Sequence, residues 1–280
     1  MDSYAVIGHP IGHSMSPYIH SELFKFSGIN AHYTTLDVAP EQLSDEFCSV
    51  LRNLKGFNIT IPHKTAIIPL LDKLSDEAVL YGAVNCVACG EQASGYNTDA
   101  YGFKAAISMR GIPLEGKVLL LGSGGAARTV AYEAALAGCE VTIAARSKSG
   151  SRLADEIKNK IGKEVFITSF DDVRGGYDLI VNATPVGMYP NNNASPLKPE
   201  QLCGCKALFD AIYNPRETLL VKYAKQNGMT VAEGMAMLVM QAVKAHEIWY
   251  GGSFTSEQTE QVIMGANAQM EQIFGGKSDE

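Results

Sequence analysis

The sequence predicts an α/β protein of two lobes, and three observations carry that expectation. Apolar runs of strand length alternate with helical segments along nearly the whole chain. The stretch from Lys117 to Arg146 reads as strand, glycine-rich turn, helix and second strand, a unit that builds parallel sheets. A chain of 280 residues with 46% hydrophobic content also exceeds the usual single-domain size, which makes two cores the default.

Each element has its own signal. Tyr4 to Ile7 is a short apolar strand before the loop GHPIGHSMSP. Ser16 followed by Pro17 reads as an N-cap with proline in the first turn, and Gly28 closes that helix. HYTTLDV gives a second strand, residues 40–54 a helix, and GFNITI a third strand. Helices are expected over 63–71 and 75–81, then the strand VNCVACG and a turn into GYNTDAYGF. A helix ends near Arg110, and GIPLEGK links it to the glycine-rich unit. Beyond EVTIAAR the alternation continues with a helix at 151–160, strands in EVFITSF, YDLIVNAT and KALFDAIY, a helix near 216–227, and MTVAEG. From Met235 onward the chain is helical again. No internal repeat or low-complexity tract interrupts it.

Composition narrows the function classes. The chain carries 23 basic against 30 acidic side chains, a net charge of −7 without long like-charge blocks, which argues against nucleic acid or an anionic membrane as partner. No stretch reaches spanning length and the start MDSYAVIGHP lacks signal-peptide character, so a cytoplasmic protein is expected. Six cysteines in a chain of this length read as reduced thiols. Cys86 and Cys89 form a CxxC, but on a strand residues three apart face opposite sides, so no zinc site is expected. His9, His13 and His20 crowd the amino-terminal loop without a carboxylate or thiol to complete a tetrahedral set; they are expected to pack or hydrogen-bond, and no metal is predicted.

The turn GSGGAA has the spacing Gly122-x-Gly124-x-x-Ala127 between a strand and a helix. The first glycine permits a tight turn, the second lets backbone approach a pyrophosphate, and the small third residue lets helix pack on strand. The helix start then offers N–H groups to phosphates. Dinucleotide sites that select NAD end their second strand with Asp or Glu; here the strand ends TIAARSKSGSR, with Arg146 in that place and Ser147 beside it. A guanidinium binds a 2′-phosphate that a carboxylate would repel, which favours NADP and leaves NAD as the weaker alternative. A nicotinamide cofactor requires a group that moves a proton as the hydride moves. Lys64, at the end of NITIPHK, and Asp99, in NTDAYGF, are the candidates, and Ser14 and Ser16 can hold a small carboxylate near a helix start.

Together these residues resemble the shikimate dehydrogenases. The likeness covers nearly the whole chain through GHPIGHSMSP, NITIPHK, GAVN, GYNTDAYGF, GSGGAAR, NATPVGM, DAIYNP and EGMAMLVMQA, in the family's order. The resemblance implies reversible NADP-linked reduction of 3-dehydroshikimate to shikimate in aromatic amino acid biosynthesis. It implies a substrate-binding lobe over 1–99, a Rossmann-like NADP lobe over 100–234 and helices over 235–280 returning to the first lobe, with the active site in the cleft between lobes. It makes Lys64 and Asp99 catalytic. Ser14 and Ser16, with Tyr213, take the substrate carboxylate, and Thr60, Asn85 and Gln241 take the ring hydroxyls beside Lys64 and Asp99. Gly122, Ser123, Gly124, Gly125, Ala126 and Ala127 form the cofactor loop, Gly234 contacts the nicotinamide through its backbone, and Asn58 braces the site. The expected partner is the small-molecule substrate alone, and a homodimer is allowed. The chain departs from the family pattern at Ser123, where alanine is common, and at Ala145 to Ser147, where the family writes NRT. It also has Cys86 and Ala100 in place of a frequent threonine and glycine.

Overall fold

The structure, a computed structural model, describes residues 1–274 apart from His13 and Ser147. The chain divides into two compact units, Met1–Gly102 with Leu238–Glu280, and Phe103–Met237.

The first unit begins with β1 (Asp2–Gly8), α1 (Ser16–Ser27) and β2 (Ala31–Asp37), followed by α2 (Leu43–Ser49), β3 (Gly56–Ile59), β4 (Lys73–Leu74), α3 (Asp76–Tyr81), β5 (Cys86–Ala88), β6 (Ser94–Tyr96) and the start of α4 (Asp99–Ser108). Its sheet runs β2-β1-β3-β5-β6-β4, with β1 parallel to both neighbours and β5 antiparallel to β3 and β6. Strand β1 is buried on both faces, which its unbroken apolar run requires. Ala5 and Ile7 join Phe57, Ile59 and Val87 on one side, while Tyr4 and Val6 join Phe24 and Tyr33 on the other.

The second unit completes α4 and adds β7 (Lys117–Leu121), α5 (Gly125–Leu136), β8 (Glu140–Ala144), α6 (Ser149–Ile161), β9 (Val165–Thr168), β10 (Leu179–Asn182), β11 (Ala207–Asp210), α7 (Leu219–Gln226) and β12 (Thr230–Glu233). All its strands are parallel, in the order β12-β11-β10-β7-β8-β9. That is the doubly wound arrangement, whose strand order reverses between β7 and β10. Ligands of such sheets lie beyond the carboxyl ends of the strands at that point.

Helix α8 (Gly234–Tyr250) belongs to the first unit from Leu238 onward, and α9 (Ser256–Phe274) follows within the same unit. The indole of Trp249 donates to the Val87 carbonyl at 3.0 Å and covers Gly56 so closely that an added Cβ would lie 2.3 Å from Nε1. Glycine at position 56 is therefore what lets α8 lie on the β3–β5 face.

Several elements differ from expectation. Helix α1 includes Ser16, and the side-chain contact at its start comes from Ser14, whose Oγ accepts from the Ser16 amide at 3.2 Å. The helix expected over 40–54 breaks into short 3₁₀ turns around α2, and that expected over 63–71 is a run of turns before a 3₁₀ helix at Ile68–Leu70. Pro62 and Pro69 restrict the residue preceding each and remove a backbone donor, which shortens any helix there. The short strands β4 and β6 lie in stretches too brief to show alternation.

His20 is not a loop residue. It lies inside α1, fully buried, with Nδ1 2.8 Å from His246 Nε2; His246 Nδ1 meets the Tyr250 hydroxyl, and the His20 ring stacks on Tyr33. His9 instead contacts Asp37 at the surface, at 2.6 Å, and His13 lies outside the described residues. Burial holds both His20 and His246 neutral, the latter with a pKa lowered to about 3. The unfolded chain protonates these rings below about pH 6.5 while the fold refuses the protons, so stability is full above that value and falls as pH drops toward about 3. Each proton contributes about 1.4 kcal/mol per pH unit. The urea midpoint is expected to fall between pH 7 and pH 5, with a shallower fall in His246→Phe; a flat profile in the wild type would contradict the buried pair.

Candidate active site

Lys64 sits in the turns after β3, held by bonds on several sides. The His63 amide donates to the Thr60 carbonyl at 3.0 Å, the Ile67 amide to the His63 carbonyl at 3.0 Å, and the Val84 amide to the Lys64 carbonyl at 2.8 Å. The buried His63 ring donates through Nε2 to the Val38 carbonyl at 2.7 Å, since a carbonyl can only accept. A flexible side chain thus leaves from a fixed backbone.

Its ammonium meets the Asp99 carboxylate, Nζ to Oδ2, at 2.6 Å, with the side chains 16% and 7% exposed. Asp99 opens α4, where the helix dipole favours a negative charge, and its amide donates to Asn97 Oδ1 at 3.1 Å. The other carboxylate oxygen accepts from Asn85 Nδ2 at 2.8 Å. Asn85 in turn fixes Thr98: its Oδ1 accepts from the Thr98 amide at 2.6 Å. Gln241, on α8, closes the cluster, with Oε1 3.3 Å from the Thr98 hydroxyl and 3.4 Å from Asn85 Nδ2. Asn58 stands behind Asn85, donating to its carbonyl at 3.2 Å and accepting from the Tyr33 hydroxyl at 2.8 Å.

This polar set is buried yet saturated with partners, as buried polar groups must be. Lys64 keeps two further N–H groups beyond its carboxylate partner, and Gln241 Nε2, which donates to the Leu238 carbonyl at 2.9 Å, keeps one, so both have donors to offer a substrate oxygen. Thr60 is half-buried at the end of β3, its methyl against Gly8, where an added Cβ would lie 2.5 Å away. Ser14 is half-buried and Ser16 buried at the start of α1. The first unit therefore brings Lys64, Asp99, Asn85 and Gln241 into one network and places Thr60 and the serines on neighbouring backbone. Thr98 joins the network although nothing in the motif YNTDAYGF singles it out from its neighbours.

The second unit carries the nucleotide signal. Gly122 has φ 101°, a left-handed conformation that suits glycine, and an added Cβ would press on Thr184 Cγ2 at 3.1 Å and the Ala183 carbonyl at 3.2 Å. Gly124 precedes the first turn of α5 with nothing within 4 Å of an added Cβ, so backbone there is open to a close approach. Gly125 and Ala126 follow in the first turn of α5, which contains no acidic residue, and Ala127 is fully buried against the sheet. These features fit a pyrophosphate at the helix start. Arg146 is exposed just past the end of β8, and Ser147 lies outside the described residues. Ser123, the departure from the family's alanine, has a partner: its Oγ lies 2.6 Å from Ser149 Oγ at the start of α6.

Tyr213 is half-buried on the segment after β11, and desolvation raises its pKa, keeping the phenol a donor. Gly234 opens α8 and packs on the 211–212 backbone; an added Cβ would lie 2.4 Å from the Ala211 carbonyl oxygen. The six cysteines are free, and no group of three or more potential metal ligands occurs among the described residues. No helix among the described residues is long and apolar enough to cross a membrane.

A doubly wound sheet with this glycine turn, in one chain with a unit that buries a lysine–aspartate pair, defines the class of nucleotide-linked oxidoreductases. Comparison with known proteins specifies the family. The model for the shikimate dehydrogenase substrate binding domain matches residues 6–87. The chain is 38% identical over 254 residues to shikimate dehydrogenase (NADP(+)) of Methanocaldococcus jannaschii, covering 88% of this chain and 90% of that protein. It is 36% identical over 269 residues to the enzyme of the same name from Caldanaerobacter subterraneus subsp. tengcongensis, covering 94% and 96%. Among solved structures, shikimate 5-dehydrogenase from Thermus thermophilus in complex with NADP(H) and shikimate superposes with a TM-score of 0.87 at 36% identity, covering 95% of this chain and 100% of that one. The chain belongs to the shikimate dehydrogenase family.

Proposed function

We propose that this chain catalyses the reversible NADP-dependent reduction of 3-dehydroshikimate to shikimate, a step of aromatic amino acid biosynthesis, with Lys64 and Asp99 as its proton-handling pair. The observation that carries the reading is the 2.6 Å contact between these two side chains, thirty-five positions apart in sequence, inside a saturated polar network. NADP, when bound, supplies the hydride in one direction and accepts it in the other. As the carbonyl carbon gains hydride, the Lys64 ammonium gives a proton to the carbonyl oxygen; in reverse, the neutral amine takes the hydroxyl proton. Asp99 holds the amine in place and accepts from the same hydroxyl, while Asn85 fixes the carboxylate. Ser14 and Ser16, with Tyr213, are assigned to the substrate carboxylate, and Thr60, Asn85 and Gln241 to the ring hydroxyls, by resemblance to the family.

On the cofactor side, Gly122 to Ala127 take the pyrophosphate and Gly234 lies by the nicotinamide. Arg146, with no acid between Val141 and Lys148, takes the 2′-phosphate. Arg146→Ala is expected to raise the KM for NADP about tenfold, the loss of one charge-assisted bond, and to leave that for NAD nearly unchanged. Equal changes for both nucleotides would remove Arg146 from the site. Six free thiols fit a reducing compartment, and the cytoplasm is the proposed setting.

Steady-state turnover of shikimate and of quinate, each with NADP and with NAD, tests the whole reading. Shikimate with NADP is expected to give the highest kcat/KM. Quinate in its place would reassign the substrate, and absence of turnover in every combination would leave a binding protein.

A further inference from the structure

We propose that Asp210 is a positioning residue for this reaction: its buried carboxylate fixes the backbone that carries Tyr213 and on which Gly234 packs. The inference rests on the functional reading above. Asp210 ends β11, 1% exposed, and its register partner on β10 is Asn182. Its Oδ1 accepts from Asn182 Nδ2 at 3.0 Å and from the Ile212 amide at 3.1 Å, and its Oδ2 accepts from the Thr218 hydroxyl at 2.6 Å. No ion pair reaches it among the described residues. A buried carboxylate without a cation is costly, so stability alone does not account for it at the end of the apolar strand ALFD.

What the carboxylate supplies is acceptor capacity on both oxygens, which an amide or an apolar side chain cannot match. The bonds radiate to the segments that matter at the carboxyl edge of the sheet. The Ile212 amide lies in the 211–212 peptide, one residue before Tyr213, and the far side of that segment is held by the Tyr189 amide donating to the Asn214 carbonyl at 3.0 Å. Gly234 lies against the Ala211 and Ile212 carbonyls. Through Asn182 the network continues to Thr184, whose hydroxyl donates to Asn182 Oδ1 at 2.7 Å and whose methyl borders Gly122. Asp210 thus fixes the edge that carries Tyr213 and Gly234, on a different strand from the one that leads to Arg146.

The test compares Asp210→Ala and the conservative Asp210→Asn with the wild type, with and without Tyr213→Phe. Asp210→Ala is expected to raise the KM for shikimate and lower kcat, each by about tenfold or more, as misplacing a contact by about an ångström does. Asp210→Asn, which keeps the side-chain volume and one acceptor but turns a donor toward the other partners, should recover only part of that loss. The ratio of kcat/KM for NADP over NAD should stay unchanged, because it is read at Arg146; a merely structural defect of the second unit would disturb it. In the Y213F background the further loss caused by Asp210→Ala should largely vanish.

If Asp210→Ala does not fold, Asp210→Asn alone is expected to show the same split at about threefold. Equal losses in the presence and absence of the Tyr213 hydroxyl, or a lowered Tm with normal kinetics, would overturn the proposal. Wild-type turnover of shikimate reports on the functional reading and the variant-to-wild-type ratios report on Asp210, so the two failures are distinct.

Discussion

Lys64→Ala is expected to lower kcat by about 10³-fold, the middle of the range for a positioned proton-transfer group, while changing the KM for shikimate only a few-fold. The reason is where the amine acts. In the proposed mechanism it hydrogen-bonds a substrate oxygen in the ground state but transfers a proton only in the transition state, so its loss is expected to fall on kcat. Fold should survive, because the backbone around residue 64 is tied by the Thr60, His63 and Val84 bonds and not by the side chain. Steady-state kinetics with circular dichroism checks both halves. A rise in KM with normal kcat would make Lys64 a binding group only.

Asp99→Asn should be nearly as damaging to turnover and more damaging to stability. The amide keeps a single acceptor, so its donor must face either the Lys64 ammonium or Asn85 Nδ2, and the ammonium, which is 16% exposed, loses its counter-charge. Breaking a buried pair from one side costs about 3–5 kcal/mol, and residual water around Lys64 places this case at the lower end. The double variant Lys64→Ala with Asp99→Asn should then be more stable than Asp99→Asn alone, and its kcat should be little lower than that of either single variant. Urea denaturation and kinetics of all three proteins check this. Additive losses in both quantities would mean that the two residues act separately.

Much of this is legible in the chain because the relevant signals are local. Gly28 ending α1, the βαβ pattern of the second unit and the glycine turn before α5 are each written within a few residues. Lys64 and Asp99 can be named from the break in pattern after NITIP and from the motif NTDAYGF, yet their meeting depends on the pairing of β3 with β5 and β5 with β6. That pairing is non-local, and β6 is only three residues long. Prolines at 62 and 69 turn an expected helix into turns, and it is those turns that aim Lys64.

Thr98, His63 and Asp210 are silent in the sequence for a different reason. A polar residue at the end of an apolar strand, as in LIVN and ALFD, reads as an ordinary loop boundary; only burial reveals that Asn182 and Asp210 are enclosed hubs. His20 is grouped with His9 and His13 because three histidines near the start of the chain look like one cluster, although it falls within the helix expected from Ser16 to Gly28, which buries it against His246.

In the proposed reaction the Lys64–Asp99 pair carries the proton while the nicotinamide carries the hydride. Single-turnover mixing of enzyme with saturating shikimate and NADP, followed by reduced-nicotinamide absorbance, tests it most directly. The wild type is expected to form NADPH in a fast first turnover and Lys64→Ala to form it about 10³-fold more slowly at the same saturation. A first turnover in Lys64→Ala as fast as in the wild type would remove Lys64 from the proton transfer.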